Sequence, residues 1–153
     1  MARVLVELPL RWGDQDEYGH VNNVSFARYL EEARVRVFGP GGVHTGMDGL
    51  FHGTHDDPHK MLLATQCIEF IAVLEYSTKP AKIELWIGKV GGSSFEVHCE
   101  ILDGASQERK VVARAISNLV IVDGTSLKPK RLTDAERQAV EPWGDAPLVL
   151  RRM

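Results

Sequence analysis

The chain has 153 residues, 44% of them hydrophobic and 25% charged, with a formal net charge of −3. Those values fit one globular domain long enough to bury its own core. They argue against nucleic acid as the main partner, since no basic run exceeds two residues.

No apolar run reaches the ~18 residues of a membrane-spanning helix, so no membrane partner is expected. Met1-Ala2-Arg3-Val4 enters a strand-like pattern directly and lacks the apolar segment of a signal peptide, so a cytoplasmic location is expected. Cys67 and Cys99 lie in apolar, strand-like runs without CxxC spacing. Buried free thiols are the expectation, with a disulfide between them left open.

In chain order, residues 3–12 read as a strand with Val4, Val6, Leu8, Leu10 and Trp12 on one parity. Residues 13–23 form a polar turn. Val24–Phe38 is the best amphipathic helix, with Phe26, Leu30, Ala33 and Val37 on one face. Arg28, Glu31, Glu32, Arg34 and Arg36 fill the other face, with Arg28–Glu32 and Glu32–Arg36 as i, i+4 pairs. Asn22 or Asn23 can cap its start, and Gly39-Pro40 stops it. Residues 39–60 read as a long loop, functional or mobile, with room for one short helical turn.

From residue 61 the pattern is β. Strands are expected over Met61–Leu74 (bent or bulged near Ala72), Ala81–Val90, Phe95–Leu102 and Lys110–Val122. Gly91-Gly92-Ser93-Ser94 is a hairpin turn, and Thr133-Asp134-Ala135-Glu136 is a capping box for a short helix to about Val140. The tail from Glu141 reads as extended. One long helix followed by a meander excludes a doubly wound parallel sheet. An α+β fold is expected: an antiparallel sheet of about five strands around the helix. Ala113 and Ala115 on one face of the last strand would let the helix approach closely.

The chemistry concentrates in Gly13-Asp14-Gln15-Asp16-Glu17-Tyr18-Gly19-His20-Val21-Asn22-Asn23. Carboxylates, an imidazole and carboxamides stand just before a helix N-terminus, which carries free N–H groups and a partial charge of about +0.5. A carboxylate facing such donors across a small gap can attack a carbonyl carbon, or activate water to do so. Asp16 is the first candidate, against the plainer reading that Asp and Gly are turn residues. His20 is read either as a general base or as a structural hydrogen-bonding histidine. Asn22 and Asn23 can orient water or substrate, although capping explains one of them.

His44, His52, His55 and His59 raise the question of a metal. Their spacing lacks the helical i, i+4 pair of a zinc site, so solvated loop histidines are expected and no metal.

The motif Gly13-Asp14-Gln15-Asp16 followed by Gly19-His20-Val21-Asn22-Asn23, with the helix Phe26-Ala27-Arg28-Tyr29-Leu30-Glu31-Glu32-Ala33-Arg34, resembles the hotdog-fold acyl-CoA thioesterases. The nearest branch is that of the 4-hydroxybenzoyl-CoA thioesterases. Val90-Gly91-Gly92-Ser93-Ser94-Phe95 is similar to the hairpin between their third and fourth strands.

The resemblance implies that Asp16 attacks the thioester carbonyl or activates water, and that the backbone N–H of Asn23 is the oxyanion donor. Beside them, His20 and Asn22 are further catalytic candidates, and Tyr18, Gly19 and Val21 are the expected substrate-binding residues. The resemblance implies a homodimer or homotetramer whose subunits pair edge to edge and share two sites, and no cofactor. The substrate would be a thioester of coenzyme A or of acyl carrier protein, with phosphates held by a base such as Lys79, Lys82, Lys89 or Arg114. Two other functions remain open on sequence: a hotdog enoyl-thioester hydratase using Asp14 and His20, and a non-catalytic acyl-thioester binding module.

Overall fold

A computed structural model describes residues 2–42, 45–51 and 54–151. The first strand, β1 (Val4–Leu8), follows the expected alternation, with Val4, Val6 and Leu8 buried and Leu5 half exposed. It is shorter than the expected 3–12. Its pairing ends at Leu8, because Pro9 has no N–H to continue the ladder. Leu10 only packs partly against the core. Trp12, expected on the buried parity, is 75% exposed in a 3-10 turn, Trp12–Asp14.

Helix α1 (Asn23–Phe38) starts one residue before the expected position. Asn22 is its N-cap, the carboxamide oxygen accepting from the Val24 N–H at 3.1 Å. Phe26, Leu30, Ala33 and Val37 are buried as expected, joined by Tyr29 and Phe38. Arg34, expected on the solvated face, is buried too. Arg36 pairs with Glu32 at 3.3 Å, whereas Arg28 turns to Glu31 at 3.4 Å instead of Glu32.

The described part of the following loop is not a loose segment and forms no helical turn. Met47 and Phe51 are core residues, and the Phe38 carbonyl accepts from the Gly49 and Phe51 N–H groups.

Four strands follow: β2 (His59–Phe70), β3 (Ala81–Val90), β4 (Ser94–Leu102) and β5 (Val111–Asp123). All pairs are antiparallel, in the order β1-β3-β4-β5-β2, so β1 and β2 are the edges. β2 begins two residues before the expected strand and ends four earlier. Near Ala72 the expected irregularity is present: the Ile71 and Ala72 N–H groups both donate to the Val112 carbonyl, at 2.9 and 3.1 Å. The chain leaves the ladder there.

The inner face of the sheet presents Ile83, Leu85, Ile87, Phe95, Val97, Cys99, Ile101, Ala113 and Ala115 to the core shared with α1. One helix against one face of an antiparallel five-stranded sheet is the hotdog arrangement that the resemblance implies. Cys67 pairs opposite Ile116 and Cys99 opposite Ala115, so the two thiols lie on opposite faces of the sheet and both are free. Helix α2 (Asp134–Val140) has its expected capping box, with Thr133 and Glu136 bonded reciprocally.

The tail makes a 3-10 turn at Glu141–Trp143 and then runs across the outer face of the sheet. Trp86 on β3 donates to the Ala146 carbonyl, the Leu148 N–H donates to His98 Nδ1 on β4, and the Arg151 N–H to Glu69 on β2. Trp86 and His98 are buried beneath it. Arg3 stacks on the Trp86 ring at 3.8 Å and binds Asp145 at 2.8 Å. Beside them Glu100 accepts from Arg3, Arg109 and Arg114. No helix among the described residues is long and apolar enough to cross a membrane.

Candidate active site

The polar turn before α1 folds into a small closed loop. Gln15 and Val21 pair at its neck, and the Asp16 N–H donates to the His20 carbonyl at 2.7 Å. Gly19, with φ of +79°, makes the reversal that an L side chain would strain. Asp16 Oδ1 accepts from the Tyr18 and His20 N–H groups at 2.9 and 3.2 Å. One carboxylate oxygen is thus fixed by the backbone of its own loop. Oδ2 takes no protein hydrogen bond among the described residues.

The loop is stitched to the segment after β2. The Val21 N–H donates to the Leu74 carbonyl at 2.8 Å, and His20 bridges to Glu75. Between loop and segment lies an open cleft of ≈ 270 Å³, lined by Asp16, His20, Val21, Asn23 and Phe26 on one side and Phe70–Leu74 on the other. Phe26 and Phe70 meet edge to face, centroids 5.5 Å apart, at its floor.

The helix start supplies the complementary donor. The Val24 N–H is taken by the Asn22 carboxamide and the Ser25 N–H by the Asn22 carbonyl. The Asn23 N–H has no protein acceptor among the described residues. Asn23 stands at the positive end of the α1 dipole and lines the same cleft as Asp16. A carboxylate with one oxygen free and an unengaged amide on the same cleft can serve a carbonyl carbon and its developing oxyanion together.

Asp14 is turned away from this cleft. Its Oδ2 accepts from the Tyr29 hydroxyl at 2.9 Å, and its carbonyl accepts from the Asn22 N–H at 2.8 Å. Burial first, and this bond second, push the Tyr29 pKa upward.

The expected site residues separate accordingly. Asp16, His20, Val21 and Asn23 line the cleft, and Asn22 does not because its side chain is spent as the cap. Val21 is 4% exposed, a wall more than a contact surface. Gly19 shapes the loop without lining the cleft, and Tyr18 stands 77% exposed beside it. The opposite wall is Phe70–Leu74, where the strand irregularity expected near Ala72 turns the chain into the cleft through the doubled contact at Val112.

His44 and His52 lie outside the described residues. His59 is held by α2 and its neighbours, Nε2 lying 3.8 Å from Glu136 and Nδ1 3.4 Å from Lys130. Among the described residues no cluster of three or more metal-ligating side chains occurs. Of the bases considered for phosphate, Arg114 is engaged by Glu100 at 2.9 Å, while Lys79, Lys82 and Lys89 are exposed.

The fold defines a class, the hotdog proteins of thioesterase type. The chain belongs to the thioesterase-like superfamily, whose family model matches residues 10–140. Among curated proteins none matches the chain by sequence.

Solved structures similar to it include the PA2801 protein of Pseudomonas aeruginosa, described as a candidate thioesterase. It is 26% identical, with 89% of this chain and 96% of that one covered and a TM-score of 0.71. A thioesterase of Thermus thermophilus, solved with coenzyme A and zinc, is 23% identical over 94% and 95% of the two chains, TM-score 0.71. A 1,4-dihydroxy-2-naphthoyl-CoA thioesterase of Synechocystis is 17% identical over 91% and 96%, TM-score 0.68.

Proposed function

We propose that the protein hydrolyses an acyl-CoA thioester, with Asp16 as the reacting carboxylate and the Asn23 N–H as oxyanion donor. The observation that carries this reading is the shared cleft: a carboxylate with a free oxygen and an unengaged helix-start amide both line it. Asp16 either removes a proton from a water that attacks the carbonyl carbon, or attacks that carbon itself to give an anhydride that water then opens. The C–S bond breaks in both routes, and coenzyme A leaves as its thiolate. A thioester carbonyl is a reactive electrophile, so neither route requires a metal. The Thermus relative solved with coenzyme A supports this carrier for the acyl group.

The functional unit of this reading is a two-fold pair joined along β2. That strand is a twelve-residue edge with Leu62, Leu63 and Phe70 each more than 40% exposed, whereas the other edge, β1, has five residues. A long apolar edge left open invites pairing, and a two-fold closes it. The hydratase reading is disfavoured, because Asp14 is committed to Tyr29 and does not share the cleft with His20.

The test is thiol release from a panel of acyl-CoA and acyl carrier protein thioesters, wild type against Asp16→Asn. Release by the wild type and its loss in the variant is the expected result. Loss of enoyl absorbance without thiol release would support a hydratase instead, and binding without turnover a binding module.

A further inference from the structure

A second and larger cavity, ≈ 490 Å³, lies along the same open side of the molecule, between the later turns of α1 and the start of β2. Val35, Phe38, Phe51, Met61 and Leu62 give it apolar walls, and Arg34 stands among them. Arg34 is 7% exposed. Its one hydrogen bond among the described residues is to Gln66 Oε1 at 3.2 Å, and that neutral oxygen is already shared with the Ser117 hydroxyl at 2.8 Å.

A guanidinium has five N–H donors, and burying a cation is costly unless its charge and donors are fully matched. Burial pulls the Arg34 pKa down, against smaller opposing pulls from Cys99 and Glu31. The other charged side chains of the lining are Lys60, which donates to the Gly124 carbonyl, and the buried Asp57.

Within one subunit this cavity and the Asp16 cleft stand at opposite ends of β2, one beside Met61 and Leu62, the other beside Phe70. Antiparallel pairing of β2 with a second copy lays the start of each strand beside the end of the other. On such a pairing the Arg34 cavity of one subunit would adjoin the Asp16 cleft of its partner, since each borders one end of β2. The inference below rests on the hydrolase and on this two-fold pair.

We infer that the cavity receives the far end of the acyl chain and that Arg34 selects acyl groups ending in a carboxylate, the mono-CoA thioesters of dicarboxylic acids. The apolar walls take the methylenes. The guanidinium meets the terminal carboxylate with paired N–H donors, a geometry that favours arginine over lysine.

Two measurements test it. The first compares kcat/KM for glutaryl-, adipyl- and suberyl-CoA with that for valeryl-, hexanoyl- and octanoyl-CoA, which match them in carbon number and end in methyl. The wild type is expected to prefer the carboxylate-ended chain at one length by roughly tenfold to a hundredfold, the worth of a charged hydrogen bond. Arg34→Met should abolish or invert that preference, and Arg34→Lys should keep part of it. Equal rates for both series at every length in the wild type, which needs no variant to fold, would overturn the inference. So would an Arg34→Met loss shared equally by both series.

The second is calorimetric binding of free adipate and suberate, with hexanoate and octanoate as controls. Binding of the dicarboxylates by the wild type and not by Arg34→Met supports the pocket even if no thioester is cleaved, and the hydrolase reading would then be the one that fails. No dicarboxylate binding, together with no carboxylate preference, overturns the pocket itself.

Discussion

The Tyr29 hydroxyl donates to Asp14 Oδ2 at 2.9 Å, tying the second turn of α1 to the loop that carries Asp16. The same Asp14 accepts the Asn22 N–H at its carbonyl, so one residue fixes both the loop and the residue that caps the helix. Tyr29→Phe should therefore cost about 1.5–3 kcal/mol of stability, the range for a hydrogen bond to a charged group. Urea unfolding of the two proteins measures it. A variant as stable as the wild type would mean that water replaces the hydroxyl without loss.

Asp16→Asn keeps the size of the side chain and its Oδ1 acceptor, so the loop should fold. The expected loss in kcat on an acyl-CoA substrate is roughly 10²–10⁴. Asp14→Asn should cost less, because Asp14 holds the loop from outside the cleft. His20→Ala should fall between them, since His20 lines the cleft. If Asp16→Asn turns over at the wild-type rate, His20 becomes the first residue to test.

The pH dependence of stability should be governed on the acid side by Glu100. Burial pushes this carboxyl up, but the bonds from Arg114, Arg109 and Arg3 outweigh burial and hold its pKa below the ordinary 4.5. A carboxyl depressed in the folded state adds stability above its unfolded pKa and loses it as pH falls through the folded one. Thermal unfolding of the wild type should thus drop below about pH 4.5. Glu100→Gln should be less stable at neutral pH and should show a shallower acid loss. Parallel curves for the two proteins would exclude Glu100 as the source.

The two thiols should differ in reactivity. Burial pushes the Cys99 thiol up to about 12, against a smaller opposing pull from Arg34. Cys67 is only half-buried, beside a groove on the outer face. A thiol-reactive dye should titrate one cysteine in the native protein and two in denaturant. Cys67→Ser should abolish the native reaction. Native labelling of both would show that the core opens on the labelling timescale.

Much of this site was legible locally. The apolar stripe Phe26-Leu30-Ala33-Val37 repeats at helical spacing, and the motif from Asp14 to Asn23 carries cap, turn glycine and carboxylate within ten residues. What stayed hidden depends on distant partners. Arg34 has the sequence surroundings of a solvated helix residue, but it turns inward to Gln66 on β2, whose carboxamide oxygen also accepts from Ser117 on β5. Trp12 keeps the strand parity but follows Pro9, which ends the pairing. The bend near Ala72 is expected from the sequence, but that it forms a wall of the cleft depends on the Val112 carbonyl on β5. His98 alternates like an outward residue and is buried only because the tail lies over it.

That tail also bears on what the outer face can meet. Two sheets can stack back to back about 10 Å apart when their outer faces are bare. Here Trp86 and His98 are already roofed by Ala146 and Leu148, so that separation is occupied by the chain's own backbone. Another sheet could stack on β3 and β4 only if the strap peeled away, breaking the Arg3–Asp145 ion pair and exposing an indole and an imidazole. The strap thus works as a built-in cover, holding the ground above Trp86 and His98 that a second sheet would need.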